Sequence, residues 1–424
     1  MKRIMISIGV ITLVYLSTSF DKLAAQEQAD GQWTSFTTSN GLPYNEVAAI
    51  AFGPGGDLWC VLVHPGGGGG LAHFDGDAWD HYTTLDGLGS DAIWMEHTLC
   101  ISTDSILWVA TFGGGVSRFD GKTWTSFTSE DGLLSDNVSS VALAPNGDVW
   151  CTHPVSDCGI SHFDGESWTV KIPSGIDVTA CYLMNIAFDK DSTLWASGGN
   201  VLRYHDESWT SFSTQTGMED PIAIYMDIGP DGRIWIGGGN GVACYDGSEW
   251  THYSLEEIGV SGSGDLMPLA VDFKNILWVG VSDENEENDQ VFRYDGQSWK
   301  EFAPEGGPDL KAIYSITVAP DSTIWFGTHY GLFHYEEAPV TQVADRNENT
   351  CTVYPNPFTD WITIKGDFGL DARISVINIM GNILLEESYT GREEISINTS
   401  NLSKGIYVVQ ITCKDFTSTY SLIK

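Results

Sequence analysis

Apolar and polar residues alternate along many short segments of this chain, with the period of two that is typical of β-strands. Large apolar residues stand nine and seven positions before a recurring aliphatic–Trp pair. They are Ile50/Phe52, Leu99/Ile101, Val141/Leu143, Ile186/Phe188, Met226/Ile228, Leu269/Val271 and Ile316/Val318. The residue between them is usually small, namely Ala51, Cys100, Ala142, Ala187, Ala270 and Thr317, with Asp227 as the exception. The pattern predicts one strand per copy, whose small residues face a crowded centre.

Three motifs recur seven times each, at intervals of about 40 to 49 residues, which is the period of a four-stranded propeller blade. The aliphatic–Trp pair ends at Trp59, Trp108, Trp150, Trp195, Trp235, Trp278 and Trp325. An aromatic–Asp–Gly motif contains Asp75, Asp120, Asp164, Asp246 and Asp295, with degenerate copies at Tyr204–Asp206 and Tyr335–Glu337. A Trp-x-x-aromatic motif begins at Trp33, Trp79, Trp124, Trp209, Trp250 and Trp299, with Trp168 as a variant. Each repeat is therefore predicted to contain four strands, a to d, joined by hairpins.

The two ends of the repeat region are complementary. The segment Trp33–Phe36 has the pattern of a strand d without strands a to c before it, and the seventh copy lacks a strand d after Tyr335. The N-terminal strand is predicted to complete the seventh blade, which closes the ring and removes exposed sheet edges. The predicted fold is all-β, a seven-bladed β-propeller over residues 30–338; an open solenoid is the alternative.

The segments between strands d and a carry a further motif. It reads Asn40-Gly41-Leu42-Pro43, Asp86-Gly87-Leu88 and Asp131-Gly132-Leu133. Together with the aliphatic–Trp pairs, it resembles the propeller repeats in the periplasmic sensor regions of hybrid two-component regulators. The later blades lack this element, so a function tied to it would lie on one side of the ring.

The C-terminal part forms a separate module. A linker is predicted at residues 339–350, and short alternating segments over residues 351–424 predict a small β-sandwich. This module closely resembles the type A C-terminal sorting domain of the type IX secretion system of Gram-negative Bacteroidota. The matching residues are Tyr354, Pro355, Asn356, Pro357, Gly381, Leu402, Gly405, Tyr407 and Lys424. The resemblance implies passage through the periplasm, recognition of this domain by the outer-membrane translocon and usually its removal. Attachment to the cell surface through lipopolysaccharide, or release, would follow.

The first 25 residues have the features of a secretory signal peptide. Lys2 and Arg3 precede an apolar run from Ile4 to Leu16, and small residues follow up to Ala25. The run is shorter than the roughly 20 residues that a membrane span needs, so we expect cleavage after Ala25 and no transmembrane segment.

The negative charge belongs almost entirely to the repeat region. The chain has 424 residues and a formal net charge of −37. Residues 30–350 contain 47 acidic and 11 basic residues, whereas residues 351–424 contain 8 and 6. This high negative charge disfavours nucleic acid and anionic lipid as partners of the propeller, since proteins bind both through Lys and Arg.

Motifs for catalysis or metal binding are scarce. The ten His residues have no metal-ligand spacing, and no nucleophile motif occurs. The acidic loop Asp283–Asp289 contains possible Ca²⁺ ligands but lacks the register of a calcium loop, so no cofactor is predicted. Export makes disulfides Cys151–Cys158 and Cys351–Cys413 possible. The other cysteines, Cys60, Cys100, Cys181 and Cys244, lie in or near predicted strands and are expected to be buried thiols.

Aromatic residues near the start of strand a are the candidate ligand-binding residues. These are Tyr44, Trp94, Tyr182 and Tyr314, which would stack on a glycan or a peptide at the channel mouth or else fill the core. The favoured function is a non-catalytic binding module at the cell surface or in the medium. The alternative is a secreted lyase or hydrolase acting on a polysaccharide or peptide. Two carboxylates with a His or Arg at the channel mouth would favour the enzyme.

Overall fold

The structure is a computed structural model. It describes residues 31–64, 66, 68–93, 97–154, 159–174, 182–212, 225–260, 265–282, 289–303, 307–337, 352–354, 358–366, 372–378, 383–392, 394–403, 405–413 and 417–424. The signal peptide, the linker, Trp94, Cys158, Cys351, Pro355, Asn356, Pro357, Gly381 and most of the acidic loop lie outside these residues.

Seven antiparallel four-stranded sheets occupy residues 32–336 of the part described, which confirms the all-β propeller architecture. The first three blades, each from the innermost to the outermost strand, are β2 (Glu46–Phe52), β3 (Leu58–Val63), β4 (Leu71–Phe74) and β5 (Trp79–Tyr82); β6 (Leu99–Ile101), β7 (Leu107–Thr111), β8 (Gly115–Phe119) and β9 (Trp124–Phe127); and β10 (Ser140–Leu143), β11 (Val149–Thr152), β12 (Ile160–Phe163) and β13 (Trp168–Lys171).

The next three blades follow the same order. They are β14 (Leu183–Phe188), β15 (Leu194–Gly198), β16 (Val201–His205) and β17 (Ser208–Phe212); β18 (Tyr225–Ile228), β19 (Ile234–Gly238), β20 (Gly241–Tyr245) and β21 (Trp250–Ser254); and β22 (Asp265–Val271), β23 (Leu277–Ser282), β24 (Gln290–Tyr294) and β25 (Trp299–Glu301). Short helical turns lie at Thr38–Asn40, Ser129–Asp131 and Leu255–Ile258.

The seventh sheet combines the two ends of the repeat region. Its strands are β26 (Ile313–Val318), β27 (Ile324–Thr328), β28 (Leu332–Glu336) and, outermost, β1 (Gln32–Phe36). Strand β1 pairs with β28 along its whole length, from Gln32↔Glu336 to Phe36↔Leu332. The innermost strands contact one another in sequence order, and β26 also contacts β2 of the first blade. The pairing is the one that the complementary ends predict.

Aromatic layers between the blades form the core. The strand-b Trp of six blades packs against the strand-c residue directly opposite. Trp59, Trp150 and Trp325 stack on His73, His162 and His334, with ring centroids 4.2 to 4.4 Å apart. Trp108, Trp195 and Trp278 lie under the guanidinium groups of Arg118, Arg203 and Arg293, at 5.1 to 5.8 Å. These positions therefore have a packing role in the sheet.

The Asp-Gly-Leu element is a capped turn between blades. Asp86 accepts hydrogen bonds from the backbone N–H and the hydroxyl of Thr83, and Leu88 is buried at 3 % exposure. Gly87 has a φ of +110°, and a Cβ there would lie 3.1 Å from the Cβ of Trp124 in the next outer strand. Leu42 and Leu133 are buried in the same way in the other two copies. The motif has a structural explanation, because it caps a turn and fills the space between blades.

The Asp-Gly motif forms the hairpin between strands c and d. In five blades the Asp carboxylate accepts two backbone N–H groups of the turn, and the following Gly has a φ of 85° to 104°. Only Gly adopts this left-handed conformation without strain. These hydrogen bonds lower the pKa of all five carboxyl groups, to about 2 in Asp246 and Asp295.

The C-terminal module contains two antiparallel sheets. One holds β29 (Thr352–Tyr354), β30 (Trp361–Lys365) and β33 (Glu394–Asn398). The other holds β31 (Ala372–Asn378), β32 (Ile383–Tyr389), β34 (Ile406–Cys413) and β35 (Thr417–Ile423), with β31 and β34 in the centre. Alternate residues of β30, β31, β33 and β34 form one buried apolar cluster, so the module has its own core.

Candidate functional site: the central channel

A cavity of about 270 Å³ lies inside the ring, between the innermost strands. Its walls come from blades one, two, five, six and seven. They are formed by Ala49, Ile50, His97, Leu99, Asp227, Leu269, Ala270, Val271, Phe273, Ile316, Thr317 and Val318. A cavity needs only about 15 Å³ to hold a single water. The cavity therefore has room for a small ligand, or for one group of a larger ligand.

Asp227 is the one carboxylate among the described residues that line the cavity. It stands where most blades carry Ala on strand a. The N–H of Ile228 donates to its Oδ1 at 2.8 Å, and the N–H of Val271, on the next blade, donates to its Oδ2 at 2.7 Å. Burial in the ring raises the pKa of Asp227 to about 6, although these two hydrogen bonds oppose the shift. The carboxylate is held in one orientation and is largely ionised at neutral pH.

His97 is the other titratable residue in the described lining. It precedes β6 in a left-handed backbone conformation, with a φ of 60°, and its carbonyl accepts the N–H of Val141 and the hydroxyl of Ser140. Its Nε2 atom is shielded from solvent and has no hydrogen-bond partner in the described structure. Burial lowers the pKa of His97 to about 4, so the imidazole is neutral at pH 7.

Three of the four candidate aromatic residues are described, and none of the three lines this cavity. Tyr44 is half-buried, and its ring packs edge-on against His64 and His81 at 5.0 and 5.5 Å. Tyr182 is 58 % exposed at the start of β14, and Tyr314 lies half-buried on β26. Tyr182 belongs to blade four, three blades away from the blades of the other two, so the three do not form one platform.

The sequence does not single out His97, because this residue belongs to no repeated motif. Asp227 was visible as the only acidic residue at the small position of strand a. Nothing in the sequence indicated that it shares a cavity with a His 130 positions earlier, since only the ring brings blades two and five to one channel.

The predicted sorting residues lie in both sheets of the C-terminal module. Four of them, Leu402, Gly405, Tyr407 and Lys424, lie close together. Gly405 pairs with Lys424 through two backbone hydrogen bonds, and the N–H of Leu402 donates to the carbonyl of Thr399. The Tyr407 hydroxyl donates to the Ser403 carbonyl at 2.7 Å. The Lys424 ammonium also donates to the Thr399 carbonyl. Tyr354 lies on β29 and is 43 % exposed.

The predicted disulfides involve residues outside the described part. Cys151 has a free thiol in the structure, fully buried with its Sγ 3.8 Å from Nε2 of His153. Burial raises the pKa of this thiol above its usual range. Cys413 is half-buried at the end of β34. Because Cys158 and Cys351 are not described, both bridges stay predictions.

Metal-binding groups are dispersed in the described residues. No three His, Cys, Asp or Glu side chains come together there in a way that would hold a metal ion. Of the predicted acidic loop, only Asp289 is described, and its carboxylate accepts the N–H of Ala312. The helical segments that are described include none with the length and apolar character of a membrane span.

Solved structures share the propeller fold at low sequence identity. The extracellular domain of a hybrid two component system from B. thetaiotaomicron aligns with a TM-score of 0.59 at 15 % identity, over 93 % of this chain and 57 % of that one, so this chain spans less than two-thirds of it. Virginiamycin B lyase from Staphylococcus aureus aligns with a TM-score of 0.57 at 16 % identity. The alignment covers 72 % of this chain and 99 % of the lyase. YCF48 bound to a D1 peptide aligns with a TM-score of 0.54 at 15 % identity. The alignment covers 75 % of this chain and 98 % of YCF48. At these identities the likeness shows the fold alone.

The C-terminal module matches a protein family by sequence. No curated protein matches the chain, but residues 352–424 match the secretion system C-terminal sorting domain. This confirms the resemblance seen in the sequence and agrees with the two-sheet structure. The chain therefore ends in a type IX secretion system sorting domain, which directs it to secretion or to the cell surface.

Proposed function

We propose that the protein is an exported binding module that holds a small ligand, or one group of a larger ligand, in the central channel. The observation that carries the proposal is the channel cavity. Its wall is mainly aliphatic and contains three polar side chains, those of Asp227, His97 and Thr317. Two backbone hydrogen bonds hold the Asp227 carboxylate in one orientation. Ligand sites in proteins have this composition, an apolar wall with a few placed polar groups.

The geometry of Asp227 fits recognition. Each of its oxygens already accepts a backbone N–H, which fixes the carboxylate between two blades. A fixed acceptor gives specificity, because a ligand whose donors match it gains hydrogen bonds without reorganising the protein. The channel cavity rather than the loop tyrosines is the proposed site, since it is the place where polar groups from distant blades converge.

An enzyme is the second candidate, and one observation favours it. Asp227 and His97 line one cavity and have pKa values shifted in opposite directions, to about 6 and about 4. Perturbed titratable pairs of this kind are frequent at catalytic sites. The carboxylate and the imidazole would serve as acid and base on a substrate in the channel.

A cavity-filling variant tests the proposed site. The mature exported protein is applied to glycan and peptide arrays, and the ligand is measured against Ala270→Leu, which places a larger side chain in the cavity wall. Ala142→Leu and Ala187→Leu are matched controls, because they occupy the same strand-a position in blades that do not line the cavity. Thermal unfolding of each variant shows that it is folded.

The expected result is at least tenfold weaker binding by Ala270→Leu and unchanged binding by the two controls. Equal affinity in all variants would place the ligand outside the channel and would refute the proposal. Conversion of a bound oligosaccharide or peptide to products, lost in both Asp227→Asn and His97→Gln, would establish the enzyme instead.

A further inference from the structure

The Asp227 carboxylate has no cationic partner within the described protein. The carboxylate accepts hydrogen bonds from the two backbone N–H groups, and no Lys or Arg contributes to the shift in its pKa. The strands packed against β18 are β14, β15, β19 and β22. Their segments contain neither Lys, Arg nor His, and the single further acid is Asp265 at the opposite end of β22. Burial opposes the ionisation of this carboxyl group, and a cation that approached it would stabilise the charged form.

His97 leaves the negative charge of the cavity in place. Because burial keeps the imidazole neutral at pH 7, it does not offset the carboxylate. The Asp227 carboxylate is therefore the one charged group that the described lining presents to a ligand.

Two further features attract a positive charge. Phe273 lines the same cavity, and the face of an aromatic ring draws in cations. Residues 30–350, which contain the propeller and the linker, have 47 acidic and 11 basic residues. A cleft with low-dielectric walls concentrates such a field and raises the local concentration of cationic ligands.

We propose that the channel cavity selects an organic cation, an alkylammonium group of a small molecule or of a side chain, which is received by the Asp227 carboxylate. The aliphatic wall formed by Ile50, Leu269 and Val318 contacts the alkyl part of the ligand. This inference rests on the proposed binding function and specifies its ligand class.

Titration calorimetry with three butyl compounds tests the inference. The probes are n-butylammonium, 1-butanol and butyrate, which share an alkyl chain and differ in charge. The mature protein is used at pH 7.5 in 150 mM salt, which screens diffuse attraction to the acidic surface. We expect saturable binding of n-butylammonium at least tenfold tighter than that of 1-butanol, and no binding of butyrate.

Variants of Asp227 assign the effect to the carboxylate. Asp227→Asn keeps the size of the side chain, and Asp227→Ala introduces the residue that four other blades carry at this position. Both are expected to weaken n-butylammonium binding at least tenfold and to leave 1-butanol unaffected. Asp272→Asn is the matched control, because this carboxyl is also buried, at 8 % exposure, but lies outside the lining. It is expected to bind as the parent does.

The binding of n-butylammonium should also weaken as the pH is lowered. A carboxyl group with a pKa near 6 loses about tenfold in its charged fraction between pH 7.5 and pH 5, while the ammonium stays protonated. His97 titrates below this range.

The outcomes separate this inference from the proposed function. Equal binding of n-butylammonium and 1-butanol, both lost in Ala270→Leu, would overturn the charge selection and leave the channel as a binding site. Binding of n-butylammonium that Asp227→Asn and Ala270→Leu both retain would place it elsewhere and overturn the inference. An array ligand that Ala270→Leu still binds would refute the proposed function itself.

Discussion

Replacing Trp33 with alanine tests how the N-terminal strand is held in the last blade. The Trp33 ring packs against Tyr335, Phe326 and Phe302, with centroids 4.9, 5.8 and 6.1 Å apart. Truncating a fully buried Trp costs about 3–5 kcal/mol, and aromatic pairs contribute about 0.5–1.5 kcal/mol each. Since Trp33 is half-buried, we expect Trp33→Ala to lower the free energy of unfolding by about 2–3 kcal/mol.

Trp124→Ala is the matched control for this variant. Trp124 occupies the same position in blade two and packs against Phe119 and Tyr82, at 4.7 and 5.9 Å. Its strand β9 follows β8 directly through a hairpin, whereas β1 is far in sequence from β28, with which it pairs. We therefore expect a similar global loss in both variants, with local opening of the last blade only in Trp33→Ala.

Two measurements check this prediction. Equilibrium unfolding in urea gives the loss of stability, and hydrogen exchange followed by mass spectrometry reports the protection of amides in β28 and β1. In Trp33→Ala these amides should exchange faster at urea concentrations that leave the other blades protected. A loss below 1 kcal/mol, or unchanged protection of β28, would refute the view that Trp33 anchors the N-terminal strand.

Three further predictions concern the repeat positions. Leu88→Ala should destabilise the propeller by about 2–5 kcal/mol in urea unfolding, because Leu88 is buried between blades. Trp195→Phe should cost about 1–3 kcal/mol more than Trp124→Phe in the same assay, since Nε1 of Trp195 donates to Asp189 at 3.0 Å and Nε1 of Trp124 has no partner in the described structure. The turn aspartates have lowered pKa values, so their contribution to stability is complete above about pH 4 and is lost as the pH falls toward 2. Urea unfolding curves across this pH range should show the decline in the free energy of unfolding. Unchanged stability would contradict the prediction.

Much of the propeller could be predicted because its signals are local. A strand has a side-chain period of two, and the Asp-Gly turn needs a left-handed Gly together with an Asp that accepts the N–H groups of the turn. The same short-range requirements recur in each blade, so repetition reinforces them. The sorting domain was likewise identified from short motifs, and the family match over residues 352–424 confirms it.

The candidate site could be predicted only in part. The position of Tyr44, Tyr182 and Tyr314 near the start of strand a predicts contact with a ligand, yet the cavity is lined by other residues. A position along a strand does not say whether a ring points to the channel, to a neighbouring loop or to solvent. Tyr44 packs against His64 and His81, and Tyr182 faces solvent.

The sequence by itself determined the strands, the turns, the number of repeats and the complementary ends, because each depends on residues a few positions apart or on their repetition. The tertiary structure decided which side chains meet in the channel. His97 and Asp227 lie in blades two and five and share no motif, and they line one cavity only because the ring brings its innermost strands together. Burial in that ring also sets their pKa values, since desolvation depends on everything packed around a group and not on its neighbours in sequence.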